Sequence, residues 1–236
     1  MSVLLMQLAG PLQSWGASSR FARRSTESAP TKSGVIGLLA AALGRLRSDD
    51  LGDLTTLRFG VRVDQRGTLL RDFHTAHHFA SGEALPVSER FYLADAVFVT
   101  AVEGERELID SLHQALRAPV FLPYLGRRSC PPSRPVDLGV HHERTLEQAL
   151  EREQWRAARW YQRRHRNEPQ IDLEVLVEAT AADGPVDSLR DQPVSFDPLH
   201  RRYALRGVRH ARVKVRNLAG RPDHDPTSVL GGARCI

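Results

Sequence analysis

Val3 to Leu8 form a short apolar run that stops at Gly10-Pro11, the pattern of a buried first strand followed by a turn. Leu12 to Pro30 is long and irregular, and loops of that length inside a domain usually carry function. From Ser33 to Leu46, Val35, Leu38, Leu39, Ala42, Leu43 and Leu46 fall on one helical stripe, with Ser33 as the expected N-cap. Leu57 to Asp64 alternates Phe59, Val61 and Val63 with Arg58, Gly60 and Arg62, which predicts a half-buried strand. Leu69 to about Tyr92 reads as an extended hairpin or flexible arm, and Phe91 to Val102 as a strand. Glu105 to Leu116 is an amphipathic helix, and a final strand is expected near Ala118 to Tyr124. This order predicts an α+β fold, a βαββαβ ferredoxin-like unit with an inserted arm.

The Pro-rich stretch Pro119 to Pro135 marks a boundary, dividing the chain into residues 1–135 and 136–236. Beyond it the pattern gives a short helix (Leu146 to Glu153), a basic aromatic segment and a strand (Ile171 to Val177). A loop-rich region then runs through Pro198 to a last strand at Ala211 to Arg216.

Composition narrows the class. A 236-residue chain with 41% hydrophobic and 26% charged residues can bury a core and is too apolar for wholesale disorder. The longest uncharged apolar stretch, Val35 to Leu43, is far short of a membrane span, and no secretory signal pattern opens the chain, so a cytoplasmic protein is expected. Two cysteines, Cys130 and Cys235, exclude a disulfide framework.

Charge changes the picture more. The net charge is +5, and lysine occurs only at Lys32 and Lys214, so all but two of the 33 basic side chains are arginine, the residue whose planar fork suits phosphate. GC-rich coding gives the same bias, so placement must decide. Pro198 to Pro222 carries eight basic residues and no acid, and on a strand Arg212, Lys214 and Arg216 would share one face, either tracking a phosphate backbone or protecting a solvated edge. Arg152 to Arg166 interleaves Trp155, Trp160 and Tyr161 with six arginines, either a base-stacking surface or a surface helix whose tryptophans dock on the core.

Pro30-Thr31-Lys32-Ser33-Gly34 is not a Walker motif, but Lys32, the Ser33 cap and a free helix start would make a phosphate seat. His74, His77 and His78, His141-His142-Glu143 and Asp223-His224-Asp225 all lack enough ligands for a metal site, and no cofactor is expected. No serine or cysteine sits in a nucleophile elbow. A metal-independent ribonuclease needs only a base, an acid and a cation, which His74, Tyr92, His141 and Arg128 would have to supply together.

Three stretches carry a family resemblance. They are Leu8-Ala9-Gly10-Pro11-Leu12-Gln13-Ser14-Trp15-Gly16 with Pro30-Thr31-Lys32-Ser33-Gly34-Val35-Ile36-Gly37-Leu38-Leu39, then Arg71-Asp72-Phe73-His74-Thr75, then Pro123-Tyr124-Leu125-Gly126-Arg127-Arg128-Ser129-Cys130-Pro131. In this order they resemble the CasD family, the fifth-class Cas subunits of the type I-E CRISPR surveillance complex called Cascade. The resemblance implies a ferredoxin-like (RRM-like) domain with a β-hairpin thumb, here at about residues 71–92, and a smaller, β-containing C-terminal part. It implies a non-catalytic antiviral-defence subunit of a ribonucleoprotein complex that caps the 5′ handle of the CRISPR RNA. The thumb would reach the neighbouring backbone subunit; the large subunit is a further expected partner, and contact with target DNA is left open. In a related subtype the homologue is an endoribonuclease, which keeps a repeat-cleaving enzyme as the alternative; a subunit that touches only proteins is the third reading.

Carried onto this chain, the resemblance makes Gln13, Trp15, Arg20, Lys32, Ser33, Tyr124, Arg127, Arg128 and Ser129 handle contacts. It places His74 in the second motif and Arg90 at the base of the thumb. The presumed thumb, about His74 to Arg90, is short for the family, and nothing past about Gly139 matches, so Arg212, Lys214 and Arg216 rest on charge alone.

Overall fold

Buried apolar runs dictate the centre of the molecule. In the computed structural model, which describes residues 1–16, 23–197 and 199–220, all eight residues of β1 (Ser2–Ala9) are buried. Next come β2 (Leu12–Gln13), β3 (Arg23–Arg24), α1 (Lys32–Ala42), α2 (Gly52–Thr55), β4 (Arg58–Gln65) and the hairpin strands β5 (Thr68–His77) and β6 (Ala84–Ala94). β7 (Val97–Gly104), α3 (Arg106–Arg117), β8 (Asp137–His141), α4 (Leu146–Arg152), α5 (Arg159–Arg164), β9 (Gln170–Glu178), β10 (Asp187–Ser195) and β11 (Arg202–Arg216) complete the chain.

A seven-stranded sheet has the order β10-β11-β9-β4-β7-β1-β8, and its pairings are all antiparallel. Period-two geometry sends Leu4, Met6 and Leu8 to the face covered by α1 and α3, and Val3 and Leu5 to the face covered by α4. Each such side chain, fully buried, contributes about 1.5–3 kcal/mol. A second sheet holds β2-β6-β3, with β5 paired to β6. The fold is thus mixed α+β. Its seven-stranded sheet uses strands from both sides of residue 135.

Four local expectations need correction. The cap of α1 is Thr31, not Ser33: its hydroxyl accepts from the Gly34 N–H at 3.2 Å, and the helix stops at Ala42, before Gly44 at φ +81°. Ala118 to Tyr124 is not a strand. Pro119 and Pro123 have no N–H to give a ladder, and the N–H groups of Val120 and Phe121 instead donate to Ala42 and Ala41 at 3.0 and 3.2 Å, closing the end of α1. The strand beside β1 is β8.

β4 is buried on both faces, because α4 covers the side expected to meet solvent. Arg62 there is fully buried and places all five N–H donors: two bonds to Asp64 and one each to the carbonyls of Leu150, Glu153 and Gln154. Finally, the loop-rich region contains β10, and β11 has 15 residues.

Candidate nucleic-acid interface

Trp15 joins the two halves of the first motif to the third. Its indole N–H donates to Gln13 Oε1 at 3.1 Å, and the Gln13 amide donates to the carbonyls of Leu8 and Ala96 at 3.1 and 2.8 Å. A Cβ on Gly34 would stand 2.8 Å from the Trp15 ring, so the start of α1 comes close only because residue 34 is glycine. On the other side, the Ser14 N–H donates to Leu125 at 3.1 Å. Gly126 has φ +81°, and a Cβ there would lie 1.8 Å from the Ser14 carbonyl oxygen. The loop 124–131 closes on itself through Leu125 N–H to Cys130 at 2.7 Å and Cys130 N–H to Arg127 at 2.9 Å. Burial pushes the Cys130 thiol up, away from a reactive thiolate.

Arginines gather at the edge of this convergence. β3 pairs in parallel with β6, aligning Arg24 with Arg90. Arg127 Nη2 donates to the Arg24 carbonyl at 3.0 Å, and its guanidinium lies 4.7 Å from the centre of the Tyr92 ring. Arg127 Nη1 and Arg90 Nε are buried with no hydrogen-bond partner among the described residues. Unsatisfied guanidinium donors of this kind are costly unless an acceptor arrives. Arg23, Arg24, Arg128 and Ser129 are exposed. Glu89 is the carboxylate at this edge, 3.8 Å from both Arg23 and Arg71.

The sequence placed several other side chains on this surface that the structure does not. Gln13 and Trp15 are fully buried, and Lys32 and Ser33 are 1% and 7% exposed; they build the scaffold. The Lys32 ammonium meets Glu178 at 2.9 Å, with burial pushing its pKa down and Glu178 opposing. The expected phosphate seat at the start of α1 is filled by a carboxylate, since the Lys32 N–H donates to Asp191 at 2.7 Å. Arg20 lies outside the described residues.

Tyr124 is half-buried in the loop, and His74 is half-buried on the hairpin, 2.9 Å from Asp72. Arg212, Lys214 and Arg216 are exposed and share a face as expected, but β11 stands four strand positions from β1, roughly 19 Å. Nor is that basic run uncompensated. Arg206 pairs with Asp191 at 2.6 Å and Arg212 with Asp172 at 2.8 Å, while Arg209 has Asp183 at 3.1 Å within ion-pair distance, though not aligned for a hydrogen bond.

The four ribonuclease candidates do not converge. His141 sits opposite Val3 at the start of β1, whereas Ser133, just past the Arg128 loop, donates to Ala9 at the other end, roughly 20 Å away along the strand. Tyr92 is buried beneath Arg127. No group of three metal-ligating side chains occurs among the described residues. Sequence reasoning passed over Arg23 and Arg24 as contacts and missed Tyr92 as a platform. The only signal for the first two was their place in a loop almost free of acid.

The sequence profile described as CRISPR-associated protein (Cas_Cas5) matches residues 3–209. The chain belongs to this Cas5 family. Among relatives, the CRISPR system Cascade subunit CasD of Escherichia coli (strain K12) is 36% identical over 171 residues, covering 63% of this chain and 75% of that protein. A structure titled "Crystal structure of Cas protein" shares 40% identity over 92% of this chain and 97% of its own, with a TM-score of 0.69. One titled "CRISPR RNA-guided surveillance complex" shares 35% identity over 91% of each chain, with a TM-score of 0.73. Membership spans β1 to the middle of β11, so the basic strand belongs in part to the Cas5 unit. No helix among the described residues of this Cas5 chain is long and apolar enough to cross a membrane.

Proposed function

We propose that this Cas5 chain is a non-catalytic, cytoplasmic subunit of a type I-E Cascade that holds the 5′ handle of the CRISPR RNA. The observation that carries this reading is the gathering of Arg23, Arg24, Arg90, Arg127 and Arg128 at one edge, where Arg127 Nη1 and Arg90 Nε have no hydrogen-bond partner among the described residues. Exposed Arg23, Arg24, Arg128 and Ser129 are the donors that phosphates of a splayed single strand reach at this edge. Similarity to a CasD subunit and to a chain of an RNA-guided surveillance complex supports the same role.

In this reading the order β8-β1-β7-β4, with α1 and α3 on one face, is the ferredoxin-like unit formed by residues 1–135 and closed by β8. The β5–β6 hairpin is its thumb, directed at the neighbouring backbone subunit. Within residues 136–236, β9, β10 and β11 extend the sheet as a basic subdomain, and the large subunit is a further partner proposed for the chain.

The experiment is a crosslink map of the assembled particle. Handle nucleotides are expected to crosslink to the segments 23–24, 88–92 and 124–131. Crosslinks confined to other surfaces overturn the grip, and metal-free cleavage of repeat RNA that is lost in His74→Ala overturns the non-catalytic assignment.

A further inference from the structure

The short helix α5 and its flanks present basic charge that the grip does not use. Arg152, Arg159, Arg163, Arg164 and Arg166 have no carboxylate within ion-pair distance among the described residues; of the flanking acids, Glu153 is taken by Arg156 at 2.6 Å and Glu168 by His165 at 2.8 Å. α5 itself carries no acidic residue.

At 100° per residue, Arg159, Arg163, Trp160 and Arg164 span an arc of about 140° on α5. All four are exposed, Trp160 at 48%, and the Arg164 guanidinium lies 5.9 Å from the Trp160 ring centre. Tyr161 and Gln162 occupy the opposite side and hold the helix down: Tyr161 packs on Trp155 and His165, and the Gln162 amide donates to the carbonyls of Trp155 and Ala157 at 3.0 Å. Trp155 is buried and donates to the Asp64 carbonyl at 2.8 Å. The exposed face is therefore a rigid aromatic and arginine platform, with one ring anchored so that another can stay in solvent.

Its position follows from a chain of hydrogen bonds. The Ala158 N–H donates to Gln65, the Gln65 amide donates to the Asp95 carbonyl at 2.6 Å, and the Asp95 N–H donates to Pro11 at 3.1 Å. Arg134, just past the 124–131 loop, donates to the Arg156 carbonyl at 3.2 Å. Platform and grip thus lie at the same end of the seven-stranded sheet.

We infer that the α5 face is a second nucleic-acid site, which takes an unpaired strand by stacking a base on Trp160 and neutralising phosphates with Arg159, Arg163 and Arg164. The ligand is defined by its sugar-phosphate chain and open base face, features shared by a guide RNA and an unpaired DNA strand.

The test uses the full chain, a repeat-derived RNA and a single-stranded DNA of unrelated sequence. Trp15 and Trp155 are buried, so Trp160 is the one exposed tryptophan of three and reports stacking directly. Binding is expected to quench its fluorescence. Trp160→Ala is expected to weaken binding of at least one strand by roughly tenfold. The triple variant Arg159→Gln, Arg163→Gln, Arg164→Gln is expected to flatten the salt dependence by about 0.7 per lost phosphate contact. Circular dichroism melting confirms that each variant is folded, and Trp160→Phe, which keeps a ring, is expected to keep most of the affinity. A response to RNA alone names the guide as ligand; a response to both names any unpaired strand. Affinities and salt slopes unchanged for both strands overturn the site. Arg127→Ala with Arg128→Ala, measured alongside, reports separately on the grip.

Discussion

The main-chain N–H of Lys32 donates to the carboxylate of Asp191 at 2.7 Å, joining residues 159 positions apart. Asp191 is also gripped by both arms of Arg206, at 2.6 and 2.9 Å, and is fully buried. One carboxylate therefore accepts the first N–H of α1, neutralises a buried guanidinium and pins β10 to the helix. Removing it strands Arg206 in the interior. Asp191→Ala is expected to cost on the order of 3 kcal/mol, read as a lowered urea midpoint at unchanged m-value. A loss under about 1 kcal/mol contradicts this role.

Lys32 is the residue whose part changes most between sequence and structure. Its ammonium is spent on Glu178, which also accepts from the Phe59 N–H at 3.0 Å. Lys32→Met is expected to destabilise by roughly 2 kcal/mol, less than a fully buried pair because Glu178 keeps some solvent. Affinity for the RNA handle, measured on the folded variant at low temperature, should be unchanged. A selective loss of RNA binding with no change in stability would restore Lys32 as a phosphate contact.

Gly126 tests the convergence of the motif loops. With φ +81° and the Ser14 oxygen 1.8 Å from where a methyl group would sit, Gly126→Ala must push two loops apart. A loss of at least about 2 kcal/mol is expected, with weakened RNA binding. Gly82→Ala is the control: φ is +69°, but nothing lies within 4 Å, so only the backbone cost of about 1 kcal/mol applies and RNA binding survives. Equal behaviour of the two variants contradicts the packing described.

Acid stability should depend on Arg58. Burial works against ionisation of Glu147, but the hydrogen bonds and charge of Arg58 outweigh it and hold the carboxyl below the usual glutamate range. The Arg45 hydrogen bond holds Asp53 down in the same way. Such a group stabilises the fold fully above its unfolded pKa, near 4.3 for glutamate, and the contribution fades as pH falls through the lower folded value. Arg58→Gln is expected to flatten the acid limb of a Tm-against-pH curve below about pH 4.5. An unchanged acid limb would contradict the pairing.

Much of the fold was legible because periodicity reports burial locally. β1, α3, α4 and β9 appear within two residues of their expected bounds. β10 stayed hidden because Asp187–Ser195 is a polar edge strand containing Pro193, with no alternation to find. β8 was displaced because Val120 and Phe121 look like strand residues, yet serve the end of α1. The site was half legible. The resemblance implied that the segments of Trp15, Lys32 and Arg127 would share one surface, but not that Gln13, Trp15 and Lys32 would be consumed in building it. Their partners, Ala96, Asp191 and Glu178, are distant in sequence, and charge alone cannot show whether an arginine or lysine is already answered.

The most direct test of the account is the affinity of the full chain for its CRISPR RNA handle as a function of salt, for the wild type and for Arg127→Ala with Arg128→Ala. The account predicts a slope of log affinity against log salt of about −0.7 per phosphate held, and a variant that stays folded but binds at least tenfold more weakly with a shallower slope. Equal affinity and equal slope in the two proteins would contradict it.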